Sequence, residues 1–200
     1  MINIADDALS ALKKYEQAEV FVSEARIHTV YIDNSAISNV ETKTDSGMMF
    51  RMIDKGRIAK ASVTLNSPDS AAECIRMADS LIPFSPVNDK LEPLAQPGQA
   101  VIQRPDVFDR KADEVDSDGL REMGRRLIDA CSSWNGTQVK IPRALIRVST
   151  VRTRTVNSNG VDTEHECTGI YAHMTSMCVR DHPGEGISVL HGVRLDQDIE

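Results

Sequence analysis

Two stretches of this chain, more than a hundred residues apart, carry the same order of residue types. Thr29-Val30-Tyr31-Ile32-Asp33-Asn34-Ser35 continues through Glu41-Thr42 to Gly47 and the apolar Met48-Met49-Phe50. Arg154-Thr155-Val156-Asn157-Ser158 continues through Thr163-Glu164 to Gly169 and Ile170-Tyr171-Ala172. Each stretch reads as a strand, a tight Asn-Ser turn, a polar strand and an apolar strand entered through glycine. An amphipathic helix precedes each. The pattern predicts an α+β fold built from two repeated α-β-β-β units, with antiparallel sheets packed against helices and no compact catalytic motif at the centre.

The first unit is expected over 1-84. Ile4, Ala8, Leu9, Ala11, Leu12 and Tyr15 share one face of a helix. Ala18 to Ile32 is rich in β-branched and aromatic residues, Ser38 to Lys43 reads as a polar strand, and Met48 to Ile53 as a central one. Asp54-Lys55-Gly56 makes a hairpin into Arg57 to Leu65, and Ser67-Pro68 opens a helix through Ala71, Cys74, Ile75, Ala78, Leu81 and Ile82. Pro83, Pro86, Pro93, Pro97 and Pro105 then mark an extended connector over 85-114. The second unit, 115-200, opens with a helix from Asp118 to Trp134, in which Gly124 permits close packing. Strands follow at Ala144 to Val156, Asp162 to Cys167 and Ile170 to Val179, and Asp181-His182-Pro183-Gly184-Glu185-Gly186 reads as a loop. The closing Leu195 to Glu200 carries no stop signal, so the second unit is expected to continue.

Composition narrows the class. A net charge of -7 argues against a nucleic-acid partner, because Arg121, Arg125 and Arg126 stand among Glu114, Asp116, Asp118, Glu122 and Asp129. No basic leader precedes an apolar run, and no stretch approaches a membrane span. Cys74, Cys131, Cys167 and Cys178 show no C-x-x-C spacing, which makes a reduced, cytoplasmic setting the expectation.

His165-Glu166 invites comparison with a zinc-binding helix, where two histidines one turn apart flank a carboxylate base. The next histidine, His173, is eight residues on, and Gly169 argues for strands. Strand alternation puts His165 and Cys167 on one face, so this His/Cys pair would need a third ligand brought from elsewhere, and a small metal enzyme centred on His165, Cys167 and His173 is a further reading. Gly184-Glu185-Gly186 lacks the third glycine and the helix of a phosphate cradle. Asn135-Gly136-Thr137 fits a turn after a helix. No glycine-lysine phosphate loop or nucleophile elbow is present, and no catalytic or metal residue is assigned.

The first strand of each unit offers one candidate surface. Arg26 and His28 alternate with Ile27 and Thr29, and Arg152 and Arg154 with Val151 and Thr153. Such a strand can take an extended peptide by edge addition. Equally, basic residues on a solvent-facing sheet discourage aggregation.

The chain resembles the N-terminal half of the TldD/PmbA family, often labelled modulators of DNA gyrase. The resemblance is carried by Ala18-Glu19-Val20-Phe21-Val22-Ser23, Asn34-Ser35-Ala36-Ile37-Ser38-Asn39-Val40-Glu41, Asp45-Ser46-Gly47, Lys60-Ala61-Ser62 with Ser67-Pro68-Asp69, and Val156-Asn157-Ser158-Asn159-Gly160-Val161. The opening segment, Phe84-Ser85-Pro86 and the stretch at Asp106 are closer to the PmbA branch, whose members usually lack the zinc motif. The resemblance implies a cytoplasmic protein about twice this length, continuing into a β-rich C-terminal domain. It also implies membership of a zinc metallopeptidase system that processes or degrades peptides and unfolded segments, with TldD-like and PmbA-like subunits forming homo- or hetero-oligomers. Zinc is expected only in a catalytic TldD-like subunit, whose His-Glu-x-x-x-His signature lies beyond the matched region, so this chain is expected to hold no cofactor. A stand-alone peptide- or protein-binding module is the alternative.

Overall fold

The computed structural model describes residues 4–67, 69–99, 107–134, 137–178 and 184–191, with the main chain alone at 133–134, 137–138, 178 and 184–191. Pro68, Asn135-Gly136, Pro105 and Asp106, the first half of the expected loop at Asp181, and the Leu195 to Glu200 segment lie outside the described residues. The elements run α1 (Ile4–Ala11), β1 (Gln17–Asp33), β2 (Ala36–Asp54), β3 (Arg57–Thr64), α2 (Ser70–Leu81), a 3-10 turn (Ile82–Phe84), α3 (Arg110–Asp113), α4 (Ser117–Cys131), β4 (Ser133–Trp134), β5 (Thr137–Asn157), β6 (Asp162–Cys178) and β7 (Gly184–His191). The fold is α+β. Strands pair in the order β3-β2-β1-β5-β6-β7, with β4 paired to the start of β5. The β2/β3 and β6/β7 pairs are antiparallel.

The strands are longer than the local signals suggest. β2 has 19 residues and β5 has 21, against a usual length of about five or six. The break expected between Lys43 and Met48 does not occur. The first half of β2 is exposed and polar and the second half buried and apolar, a change of environment that mimics an element boundary. Gly47 stays in the ladder opposite Thr64. Gly169 likewise sits inside β6, where the Ser149 hydroxyl donates to its carbonyl at 3.3 Å. A side chain there would meet Ser149 Oγ at 3.3 Å, so glycine allows the close approach. β5 starts before Ala144 and runs through Pro142, whose carbonyl accepts from Asn34 N–H at 3.1 Å. Gly184-Glu185-Gly186, expected as a turn, opens β7 and pairs with Ser176, Met177 and Cys178. The second long helix stops at Cys131, and Trp134 belongs to β4.

Capping follows local chemistry. Asp116 accepts from the main-chain N–H groups of Asp118 at 3.1 Å and Gly119 at 2.8 Å at the start of α4. These bonds, the one from Gly119 foremost, hold its carboxyl below the ordinary range. α2 begins at Ser70, later than the expected Ser67 cap. The Ser70 hydroxyl donates to Asn66 Oδ1 at 2.9 Å and accepts from Ser67 N–H at 3.1 Å, so it organises the entry turn.

The repeated Asn-Ser dipeptide has a physical role at both places. Ser35 N–H donates to the Ile141 carbonyl at 2.8 Å, while the Ser35 hydroxyl accepts from Ile141 N–H at 2.9 Å. Ser158 N–H donates to the Ala18 carbonyl at 2.8 Å, while the Ser158 hydroxyl accepts from Ala18 N–H at 3.0 Å. Each turn therefore closes a two-bond ring on a nearly buried residue of β5 or β1. Asn34 and Ser35 both take positive φ, a conformation that a short polar side chain tolerates better than a branched one.

The chain divides into two compact units that interleave along the sequence. One comprises Met1–Ala25, Asp45–Pro105 and Val151–Glu166, the other Arg26–Thr44, Asp106–Thr150 and Cys167–Glu200. β1, β2, β5 and β6 each contribute residues to both units.

In the first unit, Val20, Val22, Met48, Phe50 and Met52 on the sheet are covered by Ala5, Ala8 and Leu12 from the N-terminal segment and by Ala71, Cys74 and Ala78 of α2. Burying each large side chain contributes about 1.5–3 kcal/mol. The connector is tied into this unit: Leu94 is buried, its N–H donates to Gln17 Oε1 at 2.7 Å, and Asn157 and Asn159 donate to the Ala95 and Leu94 carbonyls at 3.0 and 2.8 Å. In the second unit, Val30, Leu120, Ile146, Val148 and Ile170 form one cluster, and Ile32, Ile141 and Ala144 another. Gly124 of α4 lies where a Cβ would meet Ile37 Cδ1 and Val30 Cγ2, both at 3.3 Å.

Candidate functional site

β1 and β5 are interior strands of the sheet. Their main-chain groups already face neighbours on both sides, so edge addition at either strand is not available. The polar side chains expected there are engaged within the chain. In the second unit, Arg26 Nη2 donates to the Asp113 carbonyl at 2.5 Å and to its carboxylate at 2.6 Å, and Thr150 donates to the same carboxylate at 2.8 Å. His28 Nδ1 lies 2.9 Å from Thr42 Oγ1. Burial first, and the neighbouring Arg26 second, lower the pKa of His28 despite the opposing pull of Asp116.

In the first unit, Arg152 Nε meets Glu166 Oε1 at 2.6 Å. Arg154 is 9% exposed. Its guanidinium donates to Asp6 at 2.7 and 3.2 Å and to Asp162 at 2.9 and 2.8 Å, with Glu164 at 3.5 Å. The pairing raises the Arg154 pKa further above its ordinary value, through hydrogen bonds to Asp162 and then Asp6, and lowers that of Asp162. A planar five-donor group suits two carboxylates held in this way. The geometry makes Arg154 a clasp between α1, β5 and β6 inside one unit.

His165, Cys167 and His173 all lie on β6, where eight residues of extended chain span roughly 26 Å. Among the described residues, no three histidine, cysteine, aspartate or glutamate side chains converge on a point suited to an ion. Cys74 and Cys131 have pKa values raised by burial, so both thiols stay protonated and behave as small hydrophobes. The Cys131 thiol lies 3.5 Å from Met174 Sδ. No described helix is long and apolar enough to cross a membrane.

A different place in the first unit has backbone groups with no hydrogen-bond partner among the described residues. β3 ends the strand order, and its register with β2 runs from Asp54↔Arg57 to Gly47↔Thr64. Lys55 and Gly56 take φ of 49° and 71°, the pattern of a two-residue hairpin loop. Such a loop is flanked by a hydrogen-bonded pair, and Leu65 N–H bonds Ser46 O at 2.8 Å in the same phase. Odd-numbered residues therefore bond β2, while Ile58, Lys60 and Ser62 turn their N–H and C=O groups outward. Their side chains share a face with an open depression of about 380 Å³ lined by Phe21, Ser23, Met49, Ser62 and Thr64. The basic strands drew attention in the sequence because of charge, yet charge does not mark an edge. A strand followed by a helix and carrying an exposed lysine was the available signal.

Comparison with known proteins follows from this fold. Residues 18–81 match the family described as PmbA/TldA metallopeptidase domain 1. No curated protein matches the chain in sequence. Among solved structures, TldE from Thermococcus kodakarensis superposes with a TM-score of 0.80 at 18% identity, covering 93% of this chain and 42% of that one. A protein named as a candidate modulator of a DNA gyrase from Thermotoga maritima gives 0.78 at 12% identity, covering 98% and 44%. Another candidate gyrase modulator, from Bacteroides thetaiotaomicron, gives 0.76 at 12%, covering 98% and 45%. The chain thus spans less than half the length of these structures, and at such identities the likeness is one of fold. Residues 18–81 thus resemble PmbA/TldA metallopeptidase domain 1 in sequence, and the chain shares the fold of the proteins named TldE and candidate gyrase modulators.

Proposed function

We propose that this chain is the non-catalytic N-terminal framework of a PmbA-like protein, acting within a zinc metallopeptidase system that processes peptides and unfolded segments. The match of residues 18–81 to a metallopeptidase domain 1 carries the reading. It is supported by the ion pairs that hold Arg26, Arg152 and Arg154 within the chain, as expected of framework residues. In this reading zinc resides in a TldD-like subunit, the setting is cytoplasmic, and the partner is a TldD- or PmbA-like subunit. Exposed apolar residues support a partner: Met77, Leu81 and Phe84 are 63%, 47% and 86% exposed along the end of α2 and the turn after it, and Val87 is 54% exposed shortly beyond. Exposed apolar residues grouped in this way mark interaction surfaces.

The test is reconstitution. The chain alone is expected to leave an unfolded polypeptide intact, and to co-elute with a TldD-like subunit bearing His-Glu-x-x-x-His. The Phe84→Asp variant is expected to lose co-elution while remaining folded. Cleavage by the isolated chain, or assembly indifferent to Phe84, contradicts the reading. A stand-alone peptide-binding module is the alternative, favoured by the outward-facing backbone of β3 and decided by whether any subunit is bound.

A further inference from the structure

We infer that the outer edge of β3 is a docking site for an extended peptide segment, which adds to the sheet as a further strand. The inference rests on the peptide-handling reading above for its class of ligand; the geometry stands independently. Ile58, Lys60 and Ser62 present alternating N–H donors and C=O acceptors in one line. The repeating partner that satisfies such a line is another extended main chain, so the backbone itself specifies the occupant. A helix presents no matching row, because its donors and acceptors are used internally.

Side chains refine the choice. The same three residues point to the face on which Phe21 and Met49 line the depression, with the hydroxyls of Ser23, Ser62 and Thr64 around them. Met49 is 40% exposed. An adding strand would therefore turn every second side chain towards an apolar surface with a hydroxyl rim. Lys60 is exposed and has no carboxylate partner among the described residues. It selects an acidic residue opposite it, since an opposite-charge cross-strand pair is favourable and a like-charge pair is not. The expected ligand is an extended, apolar-alternating peptide with a glutamate or aspartate near its middle. The same lysine guards the edge against β3 of another molecule when no such peptide is present.

Binding is measured on the full chain with a fluorescent capped octapeptide of alternating valine and threonine in which one central valine is replaced by glutamate, so that the valines and the glutamate share one face, by anisotropy and by amide hydrogen exchange. The expected result is saturable binding that slows exchange at Ile58, Lys60 and Ser62. Lys60→Pro and Ser62→Pro each remove an outward N–H that the sheet does not use, a change that edge strands tolerate. Each is expected to weaken binding about tenfold or more, with a folded circular dichroism spectrum. Should either variant fail to fold, the wild-type chain with the same peptide N-methylated at alternate residues gives the equivalent test, again with loss of binding expected. Lys60→Glu is expected to exchange the preference for this peptide for one with lysine in place of the glutamate. No binding by the wild-type chain overturns the inference, as does binding that both proline variants and the N-methylated peptide leave unchanged. Neither result touches the subunit reading, which is decided by co-elution and cleavage.

Discussion

Replacing Ser158 by alanine removes one oxygen and isolates one donor. Ala18 N–H, on a residue only 2% exposed, gives its hydrogen bond to Ser158 Oγ at 3.0 Å. An unsatisfied buried donor costs about 1–3 kcal/mol. Ser158 itself is exposed, so water can reach the vacated side and the lower part of that range applies, about 1–2 kcal/mol. Ser35→Ala does the same to Ile141 N–H, on a residue 1% exposed and bonded at 2.9 Å. For a chain of 200 residues, each loss lowers the melting temperature by about 3–6 °C. The two serines share no partner, so the double variant is expected to lose the sum. Ser35→Gly is expected to be milder than Ser35→Ala, because glycine relieves the φ of 61° while losing the same hydroxyl. The assay is thermal and urea unfolding, with hydrogen exchange followed at Ala18 and Ile141. Exchange that accelerates at Ala18 only in Ser158→Ala, and at Ile141 only in Ser35→Ala, is the expected signature. Unchanged stability and exchange in both would refute the assignment of the Asn-Ser echo to paired hydrogen bonds.

Further expectations concern the clasp, the helix contact and pH. Arg154→Ala removes a buried guanidinium from three carboxylates that are each more than half exposed; the remaining acids stay hydrated, so chemical denaturation should show a loss of about 2 kcal/mol rather than the larger cost of stranding a buried charge. Gly124→Leu would force α4 away from Val30 and Ile37, and calorimetry should record a destabilisation of about 1–3 kcal/mol. His28, with its pKa lowered from 6.5, binds fewer protons folded than unfolded. Stability is therefore present above 6.5 and falls as pH drops towards the folded pKa, a slope that His28→Gln should flatten in pH-dependent melting. Asp162, lowered from 3.8, contributes stability that is present above 3.8 and is lost only as pH falls below it, and Asp162→Asn should remove that acid limb.

Much of the architecture was legible in the residues. Apolar spacing located α1, α2 and α4, and the Lys55-Gly56 loop fixed the register of β2 with β3. The two Asn-Ser turns were visible as an echo, though their purpose needed three dimensions: the partners Ile141 and Ala18 are distant in sequence. Strand lengths were misread where polarity changed along one strand, as at Ser46-Gly47, or where proline and glycine interrupted the pattern, as at Pro142 and Gly169. Pairing with a neighbour outweighs such local signals. The surroundings of Arg26, His28, Arg152 and Arg154 were hidden from the sequence for a related reason. Whether a strand is interior or terminal depends on sheet order, which alternation at Arg26 and Arg152 does not encode, and Arg154 lost its apparent availability to Asp6, at the far end of the chain.

Under the proposed function, this chain is a framework whose side chains are spent on one another, with metal chemistry supplied by another part of the assembly. Elemental analysis of the purified chain, equilibrated with zinc and then desalted, tests that claim most directly. Zinc well below one equivalent is the expected result, unchanged in His165→Ala and His173→Ala. One tightly held equivalent that either substitution removes would contradict it.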